Sequence, residues 1–159
     1  MFSAAVVERE FKADFRAGDL EPKVALIGVD NALARQAIER VGFDRVIEAG
    51  LGKGPQDFLG IDLHTFPASV AAAETWNEIG GGDADIAQPA YRALLEASGD
   101  RCGVVRLAGR SIAAPFVGAL ADAMVVTEAL RLVLGDHRYE AISCHRRDLA
   151  TRNVGRGDA

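Results

Sequence analysis

The hydrophobic positions near the start of the chain follow a strand, helix, strand order. Lys23 to Val29 (KVALIGV) is short, apolar and rich in β-branched residues, which is typical of a central parallel strand buried on both faces. Asn31 to Val41 places apolar side chains on one helical face, and Gly42 follows as a stop signal. Arg45 to Ala49 is a second apolar run. This order predicts a right-handed crossover that pairs the two strands in parallel.

The pattern changes after the second strand. Asp57 to Phe66 alternates partly between apolar and polar residues, which is typical of a half-exposed antiparallel strand. Further elements are predicted as helices at Ser69 to Trp76, Ala84 to Ala97 and Ile112 to Leu134, the last one buried, and as a strand at Arg138 to His145. The sequence therefore predicts an α/β fold, namely half of a Rossmann-like doubly wound domain with a mixed parallel and antiparallel sheet and flanking helices.

We expect three segments along the chain. Residues 1–22 form an amphipathic N-terminal helical arm, residues 23–148 form the folded body, and residues 149–159 form a polar, flexible tail. Trp76 is predicted to anchor its helix onto the sheet. His64, His137 and His145 are scattered without ligand spacing, so we interpret them as hydrogen-bonded or solvated side chains rather than as metal ligands.

Composition and charge narrow the choice of partners and location. A net charge of -5 over 159 residues gives no electrostatic footprint for DNA or RNA, so no nucleic-acid partner is expected. The two cysteines form no CxxC pair and follow no secretory signal, which favours the cytoplasm. Ile112 to Leu134 contains Asp122, Glu128 and Arg131, which are costly in lipid, so no membrane association is expected.

Two features invite a nucleotide-binding interpretation. Gly50, Gly52 and Gly54 follow a strand, but their spacing is GxGxG and a strand rather than a helix comes next, so a bend between two strands is favoured. Asp30 follows the carboxyl end of the first strand, where open α/β sheets bind ligands. Its carboxylate suits magnesium, and the alternative is a cap on the following helix.

The Asp30 region resembles the ThiF-type, MoeB-type and ubiquitin-activating-enzyme-like adenylyltransferases. In that family an apolar strand ends in Asp-Asn and an Arg follows four residues after the Asn, as in Val24 to Asn31 with Arg35. Val46 to Gly50 resembles the next family strand. Pro115 to Gly118 and Glu128 to Leu132 resemble the long helix of the family's core and dimer interface. The resemblance runs from about Lys23 to Arg147.

The resemblance implies roles for four residues. Asp30 would contact magnesium and ATP, and Asn31 and Arg35 would brace that loop. Cys102 would be the acyl-accepting thiol, activated by neighbouring arginines, although a small buried hydrophobe is the alternative. Cys144 is interpreted as a packing residue. The family's zinc-binding CxxC pairs are absent from the sequence, so no structural zinc is expected.

The sequence also departs from that family. No glycine-rich phosphate loop, acidic ribose contact or basic phosphate cluster precedes Lys23. We therefore expect the C-terminal half of an adenylyltransferase domain, which needs a nucleotide-binding partner chain or a second copy to bind ATP and magnesium. It would then activate a carboxylate such as the C-terminus of a ubiquitin-like protein. The alternatives are a non-catalytic dimeric interaction module and an independent small-molecule-binding domain.

Overall fold

The computed structural model describes residues 4, 6–8, 11–29, 32–52, 57–77, 89–99 and 114–156. The strands are β1 (Val24–Ile27), β2 (Arg45–Leu51), β3 (Gly60–Phe66), β4 (Tyr139–His145) and β5 (Asp148–Arg156). The helices are α1 (Ala32–Ala37), which continues into a 3₁₀ turn at Ile38–Arg40, α2 (Ala72–Thr75), α3 (Pro89–Ser98) and α4 (Pro115–Leu134). Up to β4, the described elements follow the order that the sequence predicts.

The described strands form one mixed sheet in the order β1-β2-β3-β4-β5. β1 and β2 pair in parallel, and every other neighbouring pair is antiparallel. Glu48 on β2 lies opposite His64 on β3. The structure confirms the α/β class, the parallel pair and the antiparallel third strand. The bend interpretation is confirmed for Gly52, which follows the last residue of β2 with a φ of 53°. Gly50 instead lies within β2, opposite Asp62, and Gly54 lies outside the described residues.

The position of β1 differs from the prediction. The apolar run at Lys23 to Val29 predicts a central strand buried on both faces, whereas β1 lies at the edge of the described sheet and Leu26 is 52% exposed. An apolar run predicts that a strand will be buried, but it does not predict which segment will cover it. Among the described residues, the first strand therefore leaves apolar surface beside an unpaired sheet edge.

The core is built from one face of α4 against the middle of the sheet. Val117, Ala121 and Val125 are buried and pack against Ile61 on β3, and against Ile47 on β2 with Leu63 on β3. Cys144 lies in the same core, which confirms it as a packing residue. Gly135, at a φ of 71°, ends α4, and the Asp136 N–H donates to the Arg131 carbonyl at 3.0 Å.

The prediction of a buried helix holds for only one face of α4. Its outward face exposes large apolar residues, namely Phe116, Leu120, Val126, Leu130, Val133 and Leu134. The helix is nearly all apolar, so its sequence carries little information about which side meets the core. Among the described helices, none is both long enough and apolar enough to cross a membrane.

Both ends of the chain depart from expectation. The described residues of the N-terminal arm form turns and irregular backbone rather than a helix. Phe11 packs on the core, Phe15 stacks on Phe43 at a centroid distance of 6.0 Å, and the Ala17 N–H donates to the Val41 carbonyl at 2.7 Å. The tail predicted to be flexible is instead strand β5 as far as Arg156, because β4 offers it a free edge with which to pair.

Candidate functional site

A cleft of about 400 Å³ lies beside the carboxyl end of β1, between the edge of the sheet and α4. Its walls are mostly apolar and come from β1, β2 and α4: Leu26, Ile27, Ala49, Leu51, Gly118, Ala121, Val125 and Val126. Gly28 and Val29 border it as β1 ends, and the polar side chains among the described lining residues are Arg35 and Asp122. Ligands of open α/β sheets bind at this end of parallel strands, so the position is a candidate site.

Arg35 is held at the cleft by a buried carboxylate. Its Nε lies 2.8 Å from Oε1 of Glu48, whose side chain is 1% exposed, while that of Arg35 is 15% exposed. The two atoms do not meet hydrogen-bond geometry despite the short distance, so charge attraction joins them. Glu48 therefore fixes a cation at the border between the core and the cleft.

The second carboxylate oxygen of Glu48 faces His64. The His64 Nδ1 lies 3.4 Å from Glu48 Oε2, across the β2–β3 pair. The His64 ring meets Trp76 edge-on at 5.2 Å and stacks against Phe66 at 6.1 Å. These contacts confirm that His64 is a partnered side chain, and they link it through Glu48 to Arg35 at the cleft.

Trp76 contacts both His64 and Arg35. It is buried and packs with Phe66 and Ile38, which confirms its predicted role as an anchor of α2 on the sheet. The Arg35 guanidinium carbon lies 5.8 Å from its ring centroid, a cation–π distance. The Gln36 side-chain amide donates to the Trp76 carbonyl at 2.9 Å, so α1 and α2 are tied together next to Arg35.

The structure places one of the four predicted site residues. Arg35 lines the cleft. Asp30 and Asn31 lie outside the described residues, between Val29 at the cleft and the start of α1, and Cys102 also lies outside them. Within the described part of the chain, no group of three or more His, Cys, Asp or Glu side chains could hold a metal ion.

Sequence reasoning missed Glu48. Its signal was present, because a carboxylate in the middle of the apolar run Val46-Ile47-Glu48-Ala49 is costly to bury without a partner.

Two carboxyl groups that lie away from the cleft have shifted pKa values. Burial raises the pKa of Glu128 on α4 despite its contact with Arg131, whereas hydrogen bonding to Ser69 lowers the pKa of Glu140.

The comparisons with known proteins assign the family. A family model described as the BilD C-terminal domain matches residues 1–136. The chain belongs to the BilD C-terminal domain family. A protein named bacterial E1-like protein BilD, from Collimonas sp. (strain OK412), is 42% identical over 144 residues, which cover 89% of this chain and 31% of that protein.

The BilD match agrees with the coarse class that the sequence predicts, since the relative is called E1-like and E1 enzymes are ubiquitin-activating. Neither comparison names the ThiF or MoeB type. The chain spans about a third of the length of this BilD relative. No solved structure matches, so the Rossmann-like part of the fold prediction stays a prediction.

Proposed function

We propose that this chain is the part of an E1-like adenylyltransferase that braces the phosphate end of magnesium-ATP. The observation that carries the proposal is the position of Arg35 in the cleft at the carboxyl end of β1. Arg35 is the last residue of the Asp30, Asn31, Arg35 motif, and the family match supports an E1-like setting. A guanidinium beside a strand end suits an anionic ligand, because it offers several donors in a fixed plane.

We propose magnesium as an ion shared with the substrate, since the described part of the chain holds no group of three or more side chains that could bind a metal ion by itself. Magnesium usually takes one or two carboxylates and completes its shell with substrate phosphates and water. Asp30 would be the carboxylate in this chain, and a bound ion would neutralise phosphate charge. Arg35 would brace the neighbouring loop and bind a phosphate oxygen beside the mostly apolar walls of the cleft.

The proposed reaction joins a carboxylate to the α-phosphorus of ATP, with pyrophosphate as the leaving group. Negative charge grows on the phosphate oxygens during this step, and cationic groups placed around them lower the barrier. Arg35 is one such group, and adenylation needs more of them. In this proposal the Cys102 thiolate would then attack the acyl carbon of the adenylate, so that a thioester forms and AMP leaves.

We further propose that another polypeptide segment completes the sheet beside β1. The edge position of β1 and the exposed Leu26 support this, because parallel strands are normally covered on both sides. The relative has a further two-thirds of its length outside the matched region. That remainder, a separate nucleotide-binding chain or a second copy would supply the phosphate loop.

A second candidate function is a dimeric interaction module without catalysis, and the outward face of α4 favours it. Six residues on that face follow spacings of four and three in alternation and include no charge: Phe116, Leu120, Ala123, Thr127, Leu130 and Leu134. The set is symmetric about Val125. In an antiparallel pair of two copies, Phe116 would meet Leu134, Leu120 would meet Leu130, and Ala123 would meet Thr127, so the smallest side chains would meet at the centre.

The test grafts this chain into the Collimonas relative in place of its matched region and measures ATP–pyrophosphate exchange with a ubiquitin-like protein as the acceptor. The graft is expected to support exchange, and the isolated chain is expected to show none. The unmodified relative is the positive control. Loss of exchange in the graft, with exchange retained in the relative, would contradict the adenylation proposal and favour the interaction module. Robust exchange by the isolated chain would show that no partner is needed.

A further inference from the structure

A fully buried carboxylate next to the cleft-lining Arg35 calls for a physical explanation. Glu48 is 0% exposed, and its two oxygens face Arg35 and His64. A buried ion pair adds little to stability over apolar residues of the same size, because the desolvation of both charges offsets their attraction. Such a pair contributes a fixed geometry instead. In this protein it fixes the position of the Arg35 guanidinium.

Gly50 allows the same guanidinium to approach the backbone of β2 closely. A Cβ atom built on Gly50 would lie 3.2 Å from Arg35 Nη2 and 3.5 Å from Cζ, so the guanidinium lies almost directly on the backbone of β2. The φ of Gly50 is not in the left-handed region, so the backbone itself does not require glycine there. The missing side chain leaves room for the cation.

Three contacts therefore define the place of Arg35. Glu48 holds its Nε at 2.8 Å, the absence of a side chain on Gly50 leaves room for it against β2, and the Trp76 ring centroid lies 5.8 Å from its Cζ. All three come from elements other than α1, which carries Arg35. A long side chain that lies partly in an open cleft normally keeps several rotamers, and these contacts remove that freedom before any ligand arrives.

We infer that Glu48 and Gly50 are positioning residues that hold the Arg35 guanidinium ready for a phosphate-bearing ligand in the cleft. This inference rests on the proposed function, which it extends to two residues outside the Asp-Asn-Arg motif. Glu48 acts through charge and Gly50 acts through the absence of a side chain. The two substitutions that remove these effects are therefore chemically unrelated and should have the same consequence.

The experiment uses the full chain labelled with ¹⁵N, and inorganic pyrophosphate at constant ionic strength as the probe. The Nε–Hε signal of Arg35 is assigned by its loss in Arg35→Lys. In the wild type this signal should move saturably as pyrophosphate is added. Gly50→Ala and Glu48→Gln should each raise the half-saturating concentration about tenfold, the amount expected for loss of one well-placed charged contact.

Two matched controls separate positioning from general damage. Gly155→Ala adds the same methyl group to strand β5, where the nearest atom would be 3.9 Å away. Glu128→Gln neutralises another buried glutamate that is paired with an arginine, whose Nε is 3.2 Å away, outside the cleft. Both should leave the Arg35 response to pyrophosphate as it is in the wild type. If Glu48→Gln does not fold, Gly50→Ala decides the result.

An unchanged half-saturating concentration in Gly50→Ala, or no saturable movement of the Arg35 signal in the wild type, would overturn the inference. Failure of the proposed function gives a different result, namely a graft without ATP–pyrophosphate exchange. The isolated chain can therefore show an ordered, anion-responsive Arg35 even where adenylation fails. Conversely, a graft that is active with both Gly50→Ala and Glu48→Gln, at unchanged ATP dependence, would support adenylation and refute the positioning roles.

Discussion

Glu48 and His64 lie directly opposite each other on β2 and β3, with His64 Nδ1 3.4 Å from Glu48 Oε2. Arg35 reaches the other oxygen of the same carboxylate from α1. One buried charge thus connects the first helix and the central antiparallel pair of strands. The pair that this charge forms with Arg35 gives the first prediction on stability.

Glu48→Ala should lower the free energy of unfolding by about 3 kcal/mol or more, because it leaves the Arg35 charge without its partner in a mostly buried place. Replacing both residues, as Arg35→Met with Glu48→Leu, should restore most of that loss, since no uncompensated charge remains. Urea unfolding of Glu48→Leu, Arg35→Met and the double variant, which share the same two substitutions, measures the coupling. Additive effects would show that the ion pair does not exist in solution.

Trp76→Ala should lower the free energy of unfolding by about 3–5 kcal/mol, because Trp76 is buried against Phe66 and Ile38 and its removal leaves a large cavity. Leu20→Ala is the matched control, since Leu20 is 102% exposed, and it should change stability by less than about 0.5 kcal/mol. Thermal or urea unfolding of both variants provides the comparison. Similar stability of the two would contradict the packing of α2.

Glu128 should make the protein less stable as pH rises. Burial raises its pKa above the usual 4.5, so over the range between 4.5 and the raised value the folded state binds more protons than the unfolded state. The cost of ionising Glu128 is absent below this range and fully present above it. The stability of Glu128→Gln relative to the wild type should therefore increase as pH rises from 4.5 through the raised pKa. Thermal melts across this range test the sign.

Glu140 should show the opposite dependence. The hydrogen bond from Ser69 Oγ to Glu140 Oε2, at 2.6 Å, lowers the pKa of this carboxyl below 4.5. Its contribution to stability is present above pH 4.5 and is lost as pH falls through the lowered pKa. The deficit of Ser69→Ala relative to the wild type should shrink under acid conditions. A deficit that is constant with pH would rule out this hydrogen bond as the cause.

Asp30→Ala separates the two roles considered for Asp30. As a magnesium ligand, its loss should weaken magnesium-ATP binding by the grafted E1-like protein and leave the melting temperature of the isolated chain nearly unchanged. As a helix cap, its loss should cost about 0.5–2 kcal/mol of stability with unchanged affinity. The proposed function predicts the first result. Lower melting with unchanged affinity would identify Asp30 as a cap.

The outward face of α4 predicts self-association of the chain. Leu120→Glu should convert a dimer at micromolar concentration to a monomer, because it places a carboxylate in the proposed helix pair. Leu20→Glu carries the same change at a fully exposed position and should not alter the mass. Light scattering measures both. A wild-type monomer would exclude the interaction module and leave α4 available to the rest of an E1-like protein.

The sequence by itself determined those elements whose signal is local. The apolar run of β1, the helical spacing after it, Gly135 at the end of α4 and the partial alternation in β3 each act over a few residues, and the structure confirms them. The Asp30, Asn31, Arg35 motif could also be recognised in the sequence, and the family match supports its E1-like setting.

Only the tertiary structure decided what depends on neighbours distant in sequence. β1 is an edge strand because of what pairs with it, and β5 is a strand because β4 has a free edge. The uniformly apolar α4 could not show which face meets the sheet. Arg35 and Glu48 are 13 positions apart, and His64 is 16 positions further on, so only the crossover and the β2–β3 register bring these charges together beside the cleft.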